Sequence, residues 1–137
     1  MNRLDLEIHA EAYVLSAGGR VLAHLGGGPA ALLAGAGERL RDFDLESAIE
    51  RSEDWLMPSS RSWQGFALRV AGADGRLRDR LGVHPSFTPE EVERDFSAVV
   101  DDVAFGRPVA RDVVAHLVLL REMVHHGALS GIVFESQ

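Results

Sequence analysis

Apolar and polar residues alternate one by one at the start of the chain. From position 4 to position 14, the odd positions are polar or aromatic and the even positions are apolar. The six apolar residues are Leu4, Leu6, Ile8, Ala10, Ala12 and Val14. A period of two is typical of a strand with one buried face, so the pattern predicts one long strand over residues 4–14. A tight turn at 17–18 or 18–19 follows, because Gly18 and Gly19 tolerate positive φ values. The return strand continues the buried face with Val21, Ala23 and Leu25.

A second hairpin is predicted after residue 64. Phe66, Leu68 and Val70 alternate with smaller or charged residues, and the segment 72–75 supplies a glycine-containing turn. The return strand over 76–81 is rich in arginine. Arginines discourage pairing between sheets, so this strand is predicted to lie at a sheet edge.

Each hairpin leads into a pair of predicted helices. In the first pair, Pro29 begins a helix over 29–41 and Asp44 caps a second helix that ends before Pro58. In the second pair, the capping box Thr88-Pro89-Glu90-Glu91 begins a helix that stops at Gly106. The last helix, about 109–125, is apolar nearly all round, which places it either at the centre of the fold or in a subunit interface.

The order of elements repeats along the chain. The stretch that begins at Gly19-Arg20 is echoed by the one that begins at Gly75-Arg76, and each leads through a proline into helical sequence. We therefore predict a single α+β domain over residues 1–137, with an antiparallel sheet of about five strands and two helical hairpins on one face. The predicted order is ββααββααβ, with repeat units at about 4–57 and 64–126 and a closing strand at 129–135.

Composition removes several classes of function. The 137 residues contain no cysteine and no lysine, which excludes thiolate chemistry, Schiff bases and the lysine-dependent phosphate loop. The net charge of −7 disfavours nucleic-acid binding, which needs a basic surface. No apolar run approaches membrane-spanning length and no signal-peptide pattern opens the chain, so a cytoplasmic protein without membrane contact is expected. No cofactor motif is found, and no cofactor is predicted.

One face of the first hairpin holds the candidate chemistry. The predicted register brings together two imidazoles and two carboxylates, those of Glu7, His9, Glu11 and His24. Such groups could bind a divalent transition metal or act as an acid–base pair. The alternative is a solvated sheet face, and it is favoured because the spacing matches no ligand motif.

Other groups have both a structural and a functional interpretation. His125-His126 at the end of the last helix complements the helix dipole, and His116 one turn after Asp112 is interpreted as a buried histidine held by that aspartate. Gly26-Gly27-Gly28 is interpreted as a turn rather than an anion cradle. A ligand pocket is considered where three aromatic residues concentrate, at Trp55, Trp63 and Phe66. Candidate interface residues lie on the apolar helix and the basic hairpin: Val114, Val118, Leu119, Arg69, Arg78 and Arg80.

Three functions are compatible with these patterns. The favoured prediction is a non-enzymatic accessory module that acts by protein–protein binding as a homodimer, because the chain is acidic, lacks a catalytic motif and has an over-apolar helix. The first alternative is a small-molecule sensor or ligand-binding domain, since the Gly-Gly-Arg-Val-Leu and Asp-Gly-Arg-Leu turns resemble the hairpins of PAS-like sensor domains. The second alternative is a metal-assisted enzyme that uses the His/Glu face of the first hairpin.

Overall fold

A mixed sheet forms one layer of the molecule and helices form the other. The computed structural model describes residues 2–72, Leu77 and 86–135. In this part of the chain the sheet has six strands: β1 (Arg3–His9), β2 (Ala12–Ala17), β3 (Arg20–Gly26), β4 (Ala67–Ala71), β5 (Ser86–Phe87) and β6 (Gly131–Phe134). The helices are α1 (Pro29–Leu32), α2 (Asp42–Leu56), α3 (Pro89–Ala104) and α4 (Arg111–Gly127), with a 3₁₀ turn at Ser60–Trp63.

The strand order is β3-β2-β1-β4-β6-β5. The β1/β4 and β4/β6 pairs are parallel, and the other neighbouring pairs are antiparallel. The prediction of a purely antiparallel sheet of about five strands is therefore wrong in strand number and direction. Parallel partners are joined by long crossover connections, here by whole helical segments, and alternation along one strand carries no information about such a partner.

The predicted strand over 4–14 is in fact two strands. The chain turns at Ala10-Glu11, so that Ile8 pairs with Tyr13 and Leu6 with Leu15. The turn residues are alanine and glutamate, which give none of the usual turn signals. Because the turn changes the phase of the alternation, the core receives the odd positions of β2, where Tyr13 and Leu15 are fully buried.

The β2–β3 hairpin confirms the turn that was predicted from the glycine pair. Ala17 pairs with Arg20, which leaves Gly18 and Gly19 as the two turn residues, with φ values of 59° and 77°. Both values lie in the left-handed region that glycine adopts at little cost. A register shift between Leu15 and Ser16 then changes the pairing along β3.

Helices cover one face of the sheet, as the sequence predicts. The buried residues of β1, β4 and β6 are cross-strand neighbours on a single face: Leu4, Leu6, Leu68, Val70, Ile132 and Phe134. Residues of the opposite face, such as Asp5 and Arg69, are half-buried, and Glu7 is exposed. The fold is therefore a two-layer α/β arrangement with one core.

The structure confirms one predicted helix cap and corrects another. Thr88 caps α3 as predicted, because its Oγ1 accepts a hydrogen bond from the Glu91 N–H at 3.2 Å. Asp44 is not the N-cap of α2: it lies in the first turn and accepts from the Arg41 N–H at 2.8 Å. The helix predicted over 29–41 is confined to α1, and the chain beyond it reaches a positive φ of 84° at Gly35.

Helix α4 is the central helix of the core. Its residues Val113 to Leu120 are all buried within this single chain, and α1, α2 and α3 pack around it. Val114, Val118 and Leu119 are among them, at 1%, 0% and 0% exposure. The apolar circumference of this helix is therefore accounted for by intramolecular packing, without a second copy.

The basic hairpin is described only in part. Arg69 on β4 pairs with Glu135, whereas Arg78 and Arg80, and with them most of the return strand predicted over 76–81, lie outside the described residues. Among the residues that are described, no helix has the length and apolarity needed to cross a membrane.

Candidate functional site

A cleft of about 760 Å³ lies where β1 and β4 end side by side. From these parallel neighbours the sheet continues in opposite directions, from β1 towards β2 and from β4 towards β6. In open α/β sheets, ligands bind outside the carboxyl ends of strands at such a switch point. The cleft walls come from β1, α1 and the start of α4, with contributions from Ile8, Leu33 and His116.

The floor of the cleft depends on a close approach between β4 and β1 at Gly72. Gly72 has a φ of 81°, and a Cβ atom there would lie 2.3 Å from the Ile8 carbonyl oxygen. Glycine is therefore required both by the backbone conformation and by the space. The two strand ends can meet only because this residue has no side chain.

The α1 wall is held against the β1–β2 turn by a second close approach. The Gly27 N–H donates to the Glu11 carbonyl at 2.8 Å, and a Cβ on Gly28 would lie 2.7 Å from the Ala12 nitrogen. The glycine run 26–28 thus acts as a turn, as predicted, and the helix that follows places Pro29 and Ala30 beside the cleft.

Charged groups enter the cleft from the start of α4. Arg111 lines it and donates from Nη1 to the Gly37 carbonyl at 2.5 Å, which ties the helix to the segment after α1. Asp112 also lines the cleft and accepts from the Val113 N–H at 2.9 Å. His9, at the end of β1, adds an exposed imidazole on the other side. Among the described residues, the cleft lining therefore includes the Arg111 guanidinium, the Asp112 carboxylate and the imidazoles of His9 and His116.

A buried Tyr–His pair supports the wall behind these groups. The Tyr13 hydroxyl lies 2.8 Å from Nδ1 of His116, and both residues are buried. Burial, helped by the negative charge of Asp112, raises the pKa of Tyr13 well above its usual range. The hydroxyl therefore keeps its proton and can donate a hydrogen bond to Nδ1 of His116.

The sequence predicted a buried His116 but not this partner. Tyr13 and His116 are separated by 103 positions, and the predicted strand placed Tyr13 on the polar face. The β1–β2 turn is what moves the tyrosine into the core. A histidine within an apolar helix face was the available signal, and it does not identify the residue that bonds to it.

The residues of the predicted His/Glu face lie on β1, in the β1–β2 turn and on β3. Glu7 and His24 both pair with Val14, so β2 lies between them and they are about 9–10 Å apart across the sheet. His9 lines the cleft and Glu11 lies in the β1–β2 turn. Within the described residues, three potential ligand atoms come within 4.8 Å of one another in a different group: Glu53, Glu122 and His126.

The three aromatic residues considered for a ligand pocket do not line the cleft. Trp63 is fully buried and its indole N–H donates to Ser59 Oγ at 3.1 Å. Trp55 packs against Tyr13, with ring centroids 6.3 Å apart, and borders a smaller hollow of about 350 Å³. Phe66 is half-buried against the core.

The fold of this chain resembles that of the Ppx/GppA phosphatases. The exopolyphosphatase of Cytophaga hutchinsonii superposes with a TM-score of 0.69 at 14% identity over 98% of this chain and 53% of that one. The PPX-GPPA enzyme of Aquifex aeolicus gives 0.67 at 11% over 99% and 54%. An exopolyphosphatase-like protein gives 0.67 at 9% over 98% and 55%. No family model and no curated protein sequence matches the chain.

This resemblance covers the whole chain but only part of its counterparts. The chain spans about half the length of the solved structures it matches. It also corrects the favoured functional prediction. The prediction of a module that acts by protein–protein binding is wrong, because the structures that share this fold are exopolyphosphatases and related enzymes. The two alternatives, a ligand-binding domain and a metal-assisted enzyme, agree better with this resemblance than the favoured prediction does.

Proposed function

We propose that this domain binds a phosphorylated small molecule or a short polyphosphate in the cleft at the ends of β1 and β4. The observation that carries the proposal is the coincidence of three features: the switch point of the sheet, a cleft of about 760 Å³, and Arg111 at its edge. A guanidinium suits phosphate because it donates several hydrogen bonds in one plane. The solved structures with this fold are named as exopolyphosphatases, which supports phosphate as the ligand class.

Helix α4 adds to the attraction for an anion. Its N-terminus borders the cleft; the N-cap residue Ala110 provides no side-chain acceptor, and Asp112 accepts from the Val113 N–H. The aligned peptide dipoles give this end of a helix a partial positive charge. Arg111 is already oriented by the Gly37 carbonyl, so less conformational freedom is lost when a ligand binds.

Substitution of Arg111 tests the binding proposal. We expect Arg111→Gln to weaken tripolyphosphate binding roughly 10- to 100-fold, because hydrogen bonds to a charged group contribute about 1.5–3 kcal/mol. The measurement is isothermal titration calorimetry with and without Mg²⁺, at one fixed ionic strength because salt screens these charges. A thermal melt of each variant separates lost binding from lost folding.

The matched control is Arg20→Gln, which removes the same charge from the opposite end of the sheet, at the start of β3. It is expected to bind tripolyphosphate as the unmodified protein does. Equal losses in the two variants would indicate a general charge effect and would contradict a site at the cleft. So would a folded Arg111→Gln protein of unchanged affinity.

Phosphoanhydride hydrolysis is the second candidate, favoured by the carboxylate of Asp112 in the same cleft as Arg111. In this reaction water attacks the terminal phosphorus, the phosphoanhydride bond breaks, the shortened polyphosphate is the leaving group, and the attacked phosphoryl group becomes inorganic phosphate. Asp112 would accept the proton of the attacking water, while Arg111 offsets the charge on the phosphoryl oxygens.

Asp112→Asn separates hydrolysis from binding. The variant is expected to retain tripolyphosphate binding and to lose at least 100-fold in phosphate release, since a general base contributes roughly 10²–10⁴-fold. A molybdate assay for released phosphate, with Mg²⁺ present, measures the loss. If the unmodified protein binds tripolyphosphate without releasing phosphate, the domain is a binding module and the hydrolytic candidate is dropped.

A further inference from the structure

Three potential metal ligands meet at the opposite end of α4 from the cleft. His126 Nε2 lies 3.5 Å from an oxygen of Glu122, one helical turn earlier, and 3.8 Å from an oxygen of Glu53 on α2. All three ligand atoms lie within 4.8 Å of one another. The group therefore joins two packed helices through side chains that can each donate an electron pair to a cation.

Glu122 makes this cluster unusual. It is 2% exposed, and a buried carboxylate is costly unless its charge is balanced. One of its oxygens accepts from Arg121 Nη1 at 2.8 Å, and the other lies on the side of His126. Arg121 also pairs with Glu93, so its guanidinium is shared between the carboxylates of Glu93 and Glu122.

The two separations from His126 match the coordination sphere of a small divalent ion. Zinc binds nitrogen and carboxylate oxygen at about 2.0–2.2 Å, so two ligands of a tetrahedral site lie roughly 3.3–3.6 Å apart. The observed separations from His126 Nε2, 3.5 and 3.8 Å, are within a few tenths of an ångström of that requirement. A mixed imidazole and carboxylate set suits zinc and its transition-metal neighbours better than magnesium or calcium.

The end of α4 is held in place for such a role. Gln64 donates to the His126 carbonyl at 2.6 Å, and the Gly65 N–H donates to the Gly127 carbonyl at 2.8 Å. These bonds attach the last turn of the helix to the segment after the 3₁₀ turn. His126 is therefore presented on a restrained backbone rather than on a fraying helix end.

We propose that Glu53, Glu122 and His126 form a binding site for one Zn²⁺ ion or a similar divalent transition-metal ion, which links α2 to α4. Three protein ligands leave the fourth tetrahedral position for water. The site lies about 20 Å along α4 from Asp112 and does not depend on the function of the cleft. It offers a stabilising cross-link between two helices of the core.

The test uses tag-free, chelator-treated protein that is titrated with ZnCl₂ and, separately, with CoCl₂. About one equivalent of Zn²⁺ is expected to bind by calorimetry, and Co²⁺ is expected to develop visible absorption bands. The melting temperature should rise by roughly 5–10 °C when free Zn²⁺ is about 100-fold above the dissociation constant. Addition of MgCl₂ at the same concentration should leave the melting temperature unchanged.

His126→Gln and Glu53→Gln are expected to lose at least ten-fold in Zn²⁺ affinity. Both side chains are partly exposed, at 30% and 43%, so these variants should fold, which circular dichroism checks. The matched control is His125→Gln: this neighbouring histidine contacts Glu93 instead, and its loss should leave Zn²⁺ binding intact. Absence of saturable Zn²⁺ binding would overturn the site, as would equal losses in the His125 and His126 variants.

Discussion

Gly127→Ala is expected to destabilise the fold by about 3 kcal/mol, although alanine is the better helix former by about 1 kcal/mol. A Cβ atom at this position would lie 2.0 Å from Cζ3 and 2.4 Å from Cε3 of Trp63. The indole is fully buried and its N–H is bonded to Ser59, so the ring has little freedom to move aside. The steric conflict therefore outweighs the gain in helix propensity. Urea unfolding monitored by circular dichroism measures the change.

Two further variants show whether the indole is the cause. Gly37→Ala is the control, because Gly37 has no neighbour within 4 Å of an added Cβ, and it should change stability by less than about 0.5 kcal/mol. In a Trp63→Leu background, which provides space, Gly127→Ala should cost little. A coupling energy of about 2 kcal/mol between the two positions is expected. Additive effects would show that the contact between Gly127 and Trp63 is not the source of the instability.

This contact also accounts for the burial of Trp63, one of the three aromatic residues considered for a ligand pocket. Trp63 fills the space between the 3₁₀ turn and the end of α4, where a glycine allows the indole to approach the helix backbone. The same region contains the Gln64 and Gly65 bonds that restrain His126. Trp63 is therefore core packing at the end of α4 that holds His126, whereas Trp55 borders the hollow of about 350 Å³.

Elements with local signals could be predicted from the sequence. The Thr88 cap, the Gly18-Gly19 turn and the apolar α4 each depend on residues that are adjacent or one helical turn apart. Such short-range preferences are set by backbone sterics and local hydrogen bonds. The alternation in β1 likewise gave the buried face of that strand correctly.

Features that depend on distant pairing could not be predicted. The Ala10-Glu11 turn has no turn-forming residue, and missing it put Tyr13 on the wrong face. The cleft combines His9 and Gly72, which become neighbours through the parallel pairing of β1 with β4, and Arg111, which the packing of α4 against α1 brings to them. The zinc site is an intermediate case: Glu122 and His126 are four positions apart on one helix, but Glu53 gives no local indication that it joins them.

Gly72→Ala is expected to destabilise the protein by about 3 kcal/mol and to impair the cleft at the same time. A residue with a side chain at a positive φ costs roughly 1–2 kcal/mol, and displacement of a packed backbone adds a cost of similar size. The added Cβ would meet the Ile8 carbonyl oxygen at 2.3 Å, which a backbone atom within a paired strand cannot easily avoid. The end of β4 must therefore move away from β1, and tripolyphosphate affinity should fall more than ten-fold. Urea unfolding and calorimetry measure the two effects.

Gly35→Ala separates the backbone cost from the collision. Gly35 lines the same cleft and has nearly the same φ, 84° against 81°, but an added Cβ there would have no neighbour within 4 Å. It should lose only the conformational part, about 1–2 kcal/mol, and retain most of its affinity for tripolyphosphate. Equal losses of stability in the two variants would mean that the approach of β4 to Ile8 contributes nothing. A Gly72→Ala protein with reduced stability and unchanged tripolyphosphate affinity would instead place the ligand away from the junction of β1 and β4. A shift of the backbone at this junction must change the affinity of any ligand that is bound there.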